Sequence, residues 1–310
     1  MKKIFIDGSA GTTGLRIFER LNERKDIQLV TLSEELRKDS AARKEMLNTC
    51  DISFLCLPDA ASIEAVSMIE NENVTVIDAS TAHRTNDGWA YGFPELSKAH
   101  FDKITKSKRI AVPGCHASGF IALVYPLIEN GVLPSDALLT CHSLTGYSGG
   151  GKKMIADYEA EEKDILLSAP RQYALGQEHK HLKEMKAITN LDNPPLFSPI
   201  VANFYSGMEV TVPLFKEQLN KGFSIESIKE IYKEKYNTAI VKYEESSDEG
   251  GFLSAAKLSG KDSMQISVYG NSERFILTAR YDNLGKGASG AAIECMNIVL
   301  ESEAGFSLAL

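Results

Sequence analysis

Lys3-Ile4-Phe5-Ile6-Asp7-Gly8-Ser9-Ala10-Gly11-Thr12-Thr13-Gly14 runs from a short apolar stretch through three glycines spaced by two residues into a helix-like segment. A strand, a glycine-rich turn and a helix in that order at the first βα crossing form the context of a dinucleotide-binding turn. Glycines let the backbone approach a pyrophosphate, and a helix N-terminus adds free N–H donors with a partial positive charge. Gly8, Ser9, Gly11, Thr12, Thr13 and Gly14 are therefore expected to cradle NADP(H). A plain strand-to-helix turn is the alternative. The residue about twenty positions on reads the ribose. Here the second apolar run ends in Thr31-Leu32-Ser33, followed by Glu34, Glu35, Arg37 and Lys38. Ser33 and Arg37, with Lys38 beside them, suit a 2′-phosphate and favour NADP, while the two glutamates keep NAD open.

Working outward, apolar runs at Ile4–Ile6, Ile27–Leu32, Ile52–Leu57, Val74–Ile77 and Ile110–Val112 are separated by charged, helix-like stretches. Such alternation predicts a parallel sheet covered on both faces, a Rossmann-like doubly wound α/β domain. After Cys115 the pattern changes. Ile200–Val212 and Met264–Tyr281 alternate apolar and polar residues, with Gly270-Asn271 as a turn, which predicts a largely antiparallel α+β domain. Ser224–Tyr236 has helical spacing behind a serine N-cap, with Ser227 in the place of the usual glutamate. An apolar helix is expected over Ala117–Ile128 and a last one near Gly287 to Ser302. The expected division is 1–115, completed by 285–310, for the dinucleotide, and 116–284 for catalysis and self-association.

Composition narrows the partners. Lys and Arg number 34 and Asp and Glu 42, and 34 − 42 = −8 repels nucleic-acid phosphates and anionic lipid. No apolar stretch is long enough for a signal peptide or a span, so a cytoplasmic protein is expected, binding neither nucleic acid nor membrane. The five cysteines include no C-x-x-C pair, which argues against a disulfide framework and a zinc knuckle alike.

Cys115 stands apart from Cys50, Cys56, Cys141 and Cys295, which lie in apolar runs or on helix faces. In Val112-Pro113-Gly114-Cys115-His116-Ala117-Ser118-Gly119 it joins the end of a strand to the start of a helix, whose N-terminus favours the nucleophilic thiolate. Downstream, Tyr173, His179, His181 and Glu184 gather two imidazoles, a phenol and a carboxylate. The group suits acid–base work near neutral pH; an exposed surface segment fits equally. No metal site is expected, because i,i+2 histidines on a helix face different ways. Thr145–Lys153 holds four glycines and two lysines, an anion wrap or a flexible loop.

Together these segments resemble the N-acetyl-γ-glutamyl-phosphate reductase family in its shorter form, and more widely the aspartate-semialdehyde dehydrogenase superfamily. The resemblance covers nearly the whole chain. It adds Asp78-Ala79-Ser80-x3-Arg84, Tyr91-Gly92-Phe93-Pro94-Glu95, Gly146-Tyr147-Ser148-Gly149, His179-Lys180-His181-Leu182-x-Glu184 and Asn283-Leu284-Gly285-Lys286-Gly287-Ala288-Ser289-Gly290 to the motifs above. It implies an NADPH-dependent reductase that turns an acyl phosphate into an aldehyde and phosphate through a thioester on Cys115, working as a homodimer or homotetramer. It carries the proton donor to the His179/His181 pair, His179 preferred, with Tyr173, His181 and Glu184 shaping the site. Ser80, Asn283, Gly285, Lys286 and Gly287 are assigned to the cofactor, and Arg84, Ser148 and Gly149 to the substrate. His116 and Ser118, where the family often has an aromatic residue and threonine, and Lys183 for a proline, depart from its pattern. An aspartate-semialdehyde dehydrogenase-type reductase lacks the His-x-His-Leu-x-Glu segment, and a non-catalytic NADP redox sensor would have no use for Cys115 beside a histidine cluster.

Overall fold

The short apolar runs of the first hundred residues become β1 (Lys2–Asp7), β2 (Ile27–Val30), β3 (Ile52–Leu55), β4 (Thr75–Asp78) and β6 (Arg109–Ala111), with a two-residue β5 (Ala90–Tyr91). They form one six-stranded sheet in the order β2-β1-β3-β4-β6-β5, every pair parallel. Between them run α1 (Thr12–Leu21), α2 (Ser40–Thr49), α3 (Asp59–Ser67) and α4 (Lys98–Lys106). In the computed structural model, which describes residues 1–310, this unit comprises Met1–Gly114 and Ala288–Leu308. The late segment supplies α9 (Gly290–Val299).

Strand pleating sorts the side chains into two cores. Ile4 and Ile6 point to the same layer as Ile17, Leu21, Ala291, Cys295 and Met296. Phe5, between them, joins Leu47, Leu55, Ala65 and Val76 on the other face. Covering both faces is what lets β3 and β4 be buried at every residue, and it explains why these strands read as unbroken apolar runs.

The second unit, Cys115–Gly287 with Ala309–Leu310, contains α5 (Cys115–Glu129), β7 (Thr140–Gly146), α6 (Gly151–Glu159), β8 (Arg171–Gln172), α7 (His181–Thr189), β9 (Leu196–Ala202) and β10 (Met208–Phe215). It continues through α8 (Ile225–Lys235), β11 (Val241–Tyr243), β12 (Met264–Gly270) and β13 (Arg274–Tyr281). Its seven-stranded sheet has the order β11-β12-β13-β10-β7-β9-β8. The sheet is mixed. β7 pairs with β9, and β11 with β12, in parallel, while the remaining pairs are antiparallel. On β10, Met208, Val210, Val212 and Leu214 are buried and the residues between them are partly exposed, the alternation of a half-buried strand. α8 opens on a capping box in which the Ser224 hydroxyl accepts from the Ser227 amide (3.4 Å) and Ser227 returns the contact to the Ser224 amide (3.3 Å).

Four expectations need correction. Ile200–Val212 is not one strand, because the chain turns at 203–207 between β9 and β10. α5 begins at Cys115 itself rather than at Ala117, so the cysteine lies inside the first turn. Thr145–Lys153 is not a flexible loop; it is the end of β7, one 3₁₀ turn and the start of α6. The last helix starts only at Gly290, after a π turn over Gly285–Ser289. No helix is long and apolar enough to cross a membrane.

Candidate active site

Cys115 owes its place to α5. Eleven of the fifteen residues of that helix are buried, so it is fixed on all sides like a core helix. Its first turn lies tight against the sheet. A methyl group on Gly119 would come within 2.7 Å of both Val210 Cγ2 and the Tyr281 hydroxyl. That hydroxyl donates to the Cys115 carbonyl (2.6 Å) and accepts from the Gly119 amide (3.0 Å), holding the turn that carries the thiol. Gly287 completes the fit, since a Cβ there would stand 3.2 Å from Cys115 Cβ.

The segment 173–181 is brought to α5 by its own backbone. Ala174 and Gln177 take left-handed φ values of 52° and 57°. The Gln177 carboxamide donates to the Phe197 carbonyl (2.8 Å) and accepts from the Phe197 amide (2.9 Å), so one side chain reads β9 as a strand would. The Tyr173 amide donates to the Pro199 carbonyl at 3.1 Å. His179 precedes α7, and His181 is its first residue. The expectation that the two histidines face different ways is therefore wrong: their rings meet at 4.7 Å, edge to face. His181 and Glu184 are buried, while Glu178, Lys180 and Lys183 are exposed.

His116 ties the two parts together, and sequence reasoning gave it no role. Its ring lies 5.7 Å from that of His179, 5.6 Å from His181 and 5.4 Å from Phe197. Nδ1 is 2.6 Å from the Ser143 hydroxyl and Nε2 is 2.5 Å from the Tyr173 hydroxyl. Burial, with the neighbouring His179 charge, pushes its pKa down to about 3, so His116 is neutral wherever the protein works. The Tyr173 phenol is pushed up, by burial and then by Cys115. Three imidazoles do not make a metal site here, since no group of three His, Cys, Asp or Glu residues is arranged to hold an ion. A histidine directly after a cysteine was the available signal, but its partners lie 27 and 57 residues away.

Other assigned residues separate into supports. Asn283 accepts from the Gly207 amide (2.9 Å) and donates to the Ser148 hydroxyl (2.9 Å). Gly149 lies against the same carboxamide, with room for a Cβ only 3.2 Å from it. Asp282, fully buried, accepts from Ser206 (2.8 Å), Leu284 N (2.7 Å) and Gly285 N (3.1 Å), which shapes the turn presenting the buried Lys286. In the first unit Ser80 donates to Asp78 (2.7 Å), which also meets His83 Nδ1 (2.6 Å) and Ser62 (2.7 Å). His83 stacks on Trp89 at 4.1 Å; neither was singled out from sequence. Arg84 donates from Nε to the Val112 carbonyl (2.8 Å) and from a terminal nitrogen to the Ala79 carbonyl (3.1 Å), so it fastens the ends of β4 and β6.

The dinucleotide turn has the geometry that close backbone approach requires. Gly8 has φ +88°, and a Cβ there would sit 2.3 Å from the Cys56 carbonyl oxygen; one on Gly14 would sit 2.4 Å from the Gly8 carbonyl oxygen. Gly11 is the N-cap of α1 and brings no side chain to its amides, leaving donors for a phosphate. After β2 the Arg37 guanidinium lies 2.6 Å from Glu34, and a Ser33 hydrogen bond, first among the causes, holds the Glu35 carboxyl below the usual range. The four other cysteines fit structural roles. Cys50, Cys141 and Cys295 are buried, and burial pushes the thiols of Cys50, Cys56 and Cys141 up.

Two domain families match the chain. Residues 3–104 match the semialdehyde dehydrogenase NAD binding domain, and residues 115–283 the semialdehyde dehydrogenase dimerisation domain. The chain is 44% identical over 310 residues to N-acetyl-gamma-glutamyl-phosphate reductase 2 of Nostoc sp., covering 96% of each. The chain belongs to the N-acetyl-γ-glutamyl-phosphate reductase family. An Allorhizobium ampelinum reductase of the same name is 46% identical, with 97% of this chain and 99% of that one covered. Among solved structures, aspartate semialdehyde dehydrogenase II of Vibrio cholerae superposes with a TM-score of 0.73 at 16% identity, covering 97% of this chain and 98% of that one. The Candida albicans enzyme crystallised with NADP gives 0.69 at 16%, covering 97% and 99%. These structures share the fold of the reductase family; at such identity they say nothing of its substrate.

Proposed function

We propose that this protein reduces N-acetyl-L-glutamyl 5-phosphate to N-acetyl-L-glutamate 5-semialdehyde, releasing phosphate, as a step of arginine biosynthesis. The observation that carries the reading is the gathering of His116, Tyr173, His179 and His181 around the first turn of α5, where Cys115 stands at a helix N-terminus. Cys115 attacks the acyl carbon as thiolate, the tetrahedral adduct collapses, and phosphate leaves with the electron pair of the C–O bond, giving a thioester. Bound NADPH supplies the hydride that reduces this acyl group. His179 donates a proton to the oxygen of the resulting thiohemiacetal and takes it back as the C–S bond breaks, so that collapse of the adduct returns the thiolate and the aldehyde. His181 and Glu184, buried in the first turn of α7, position the donor.

The Gly8–Gly14 turn holds the pyrophosphate of NADPH, and Ser33 and Arg37 meet the 2′-phosphate once Arg37 exchanges Glu34 for it. Ser80, Asn283 and the 285–287 turn serve the cofactor, and Arg84, Ser148 and Gly149 the substrate. The match to a dimerisation domain supports a homodimer or a homotetramer, and a small anionic metabolite as substrate supports work in the cytoplasm. The reading is tested in reverse: N-acetylglutamate semialdehyde, phosphate and NADP⁺ should give NADPH absorbance, and aspartate semialdehyde in parallel should not. Turnover of aspartate semialdehyde alone would overturn the substrate assignment.

A further inference from the structure

We propose that Ser143 and His116 form a relay that points the Tyr173 hydroxyl hydrogen at the acyl oxygen of a substrate on Cys115, making Tyr173 a hydrogen-bond donor to the oxygen that gains charge. The proposal rests on the reading of Cys115 as nucleophile. It follows from which atoms have hydrogens to give. Ser143 is fully buried, and its hydroxyl has one polar neighbour, His116 Nδ1, at 2.6 Å. A buried donor left unpaired is costlier than an unused lone pair. Ser143 therefore donates, and Nδ1 accepts as the unprotonated nitrogen of a neutral ring.

A neutral imidazole then carries its one hydrogen on Nε2. That nitrogen is 2.5 Å from the Tyr173 oxygen, so His116 donates and the tyrosine accepts. The hydroxyl meets no other protein partner in this arrangement, and its own hydrogen is left for a ligand. The opposite tautomer would have Tyr173 spend its hydrogen on His116 and would strand the Ser143 hydrogen in the core.

Two further observations agree. His116 is held neutral by burial and by the charge of His179, so it does not compete for the reaction's proton. Tyr173 is close enough to Cys115 for the sulfur charge, after burial, to keep the phenol protonated. The groups facing the His116 ring are Ser143 on β7, Phe197 on β9, Tyr173 after β8, and His179 and His181 at the start of α7; none is a carboxylate in contact with it. A donor aimed at the developing oxyanion acts in the acylation and the reduction alike. Tyr173 would be the catalytic residue of the three, with His116 and Ser143 positioning it.

The first arm of the test needs no variant. In ¹⁵N-histidine-labelled protein the His116 signals should show Nε2 protonated and Nδ1 bare throughout pH 5–8. A protonated Nδ1, or titration of His116 in that range, would overturn the relay. In the second arm, Tyr173→Phe and His116→Phe should each lower kcat roughly a hundredfold with little change in KM. The double variant should be no slower than Tyr173→Phe alone, because the residues act as one unit. His116→Gln, whose carboxamide both accepts and donates, should recover part of the loss. Multiplicative losses in the double variant, or no recovery with glutamine, would mean His116 only fills space. Should His116→Phe fail to fold, Ser143→Ala replaces it: freed of its donor, Nδ1 should become protonated in part, and kcat should fall with it; an unchanged ring tautomer would count against the relay. Wild-type protein with the expected tautomer but no activity in the reverse assay would sink the functional reading and leave the relay standing.

Discussion

Replacing the three glycines of the first turn one at a time should give three different outcomes. Gly14→Ala places a methyl 2.4 Å from the Gly8 carbonyl oxygen and 2.9 Å from Ser9 Cα. Ordinary contact needs about 3.5 Å, so backbone must shift by about 1 Å; overpacking of that size costs about 1–3 kcal/mol. At roughly 2–4 °C per kcal/mol for units of this size, Tm should fall by about 2–12 °C. Gly8→Ala meets a still closer obstacle, the Cys56 carbonyl oxygen at 2.3 Å, and adds the left-handed backbone at φ +88°, a further cost of about 1–2 kcal/mol. It should be the least stable of the three. Gly11→Ala meets nothing nearer than 3.4 Å at an ordinary φ of −75°, and the small gain from a stiffer unfolded chain offsets a slightly poorer cap. Its ligand-free Tm should stay within about 2 °C of the parent, corresponding to roughly half a kcal/mol. Its thermal shift on adding saturating NADPH should nonetheless shrink, since the methyl stands where the pyrophosphate approaches. Scanning calorimetry with and without NADPH separates the cases. A ligand-free Gly11→Ala as unstable as Gly14→Ala, or a neutral Gly14→Ala, would refute the steric reasoning.

Iodoacetamide should label Cys115 at least tenfold faster than any other cysteine, as read by peptide mass spectrometry, because burial raises the competing thiols and a helix N-terminus favours the Cys115 thiolate; uniform slow labelling would remove it as nucleophile. Cys115→Ser should abolish reduction. His179→Asn should slow hydride transfer on the order of a hundredfold while a phosphate burst persists, and His181→Asn should cost less; the reverse ranking in single-turnover kinetics would move the proton to His181. Arg37→Ala with Lys38→Ala should raise KM for NADPH much more than for NADH, and equal losses would show that these cations do not read the 2′-phosphate. Burial, ahead of the opposing Thr211 hydrogen bond and Arg280 charge, raises the Glu209 carboxyl above 4.5. A raised acid loses its stabilising share as pH climbs through the folded pKa, so Glu209→Gln should melt higher than the parent at pH 7 and no higher at pH 4.

How much was legible follows from the range of the forces involved. β1, β3 and β4 are buried on both faces and wrote themselves as apolar runs, and the Gly8–Gly14 turn is a local steric pattern. α8 was readable to its Ser224–Ser227 cap. β5, with two residues, leaves no period to detect, and the parallel pairing of β7 with β9 is set by tertiary packing across a long excursion. The same holds for the site. Cys115, Tyr173, His179 and His181 carry chemistry in their residue types, whereas the part played by His116 exists only once Ser143 and Tyr173 reach it. The facing of His179 toward His181 was misread because α7 starts only at His181, so His179 lies outside the helix that i,i+2 reasoning assumed.

β7 and β9 lie side by side in register from Thr140–Leu196 to Gly146–Ala202, yet the chain between them carries α6, β8 and α7. Tyr173, His179, His181 and Glu184 all belong to that one excursion, while Cys115 does not. The sheet against which the nucleophile's helix packs can thus keep its register while the excursion is exchanged, because the ends of the insert are clamped by strand pairing. Divergence of the acid–base residues in this architecture needs changes in a single contiguous stretch of coding sequence, and a graft of residues 147–195 between two relatives is the smallest transplant able to carry one enzyme's Tyr173, His179, His181 and Glu184 set into another.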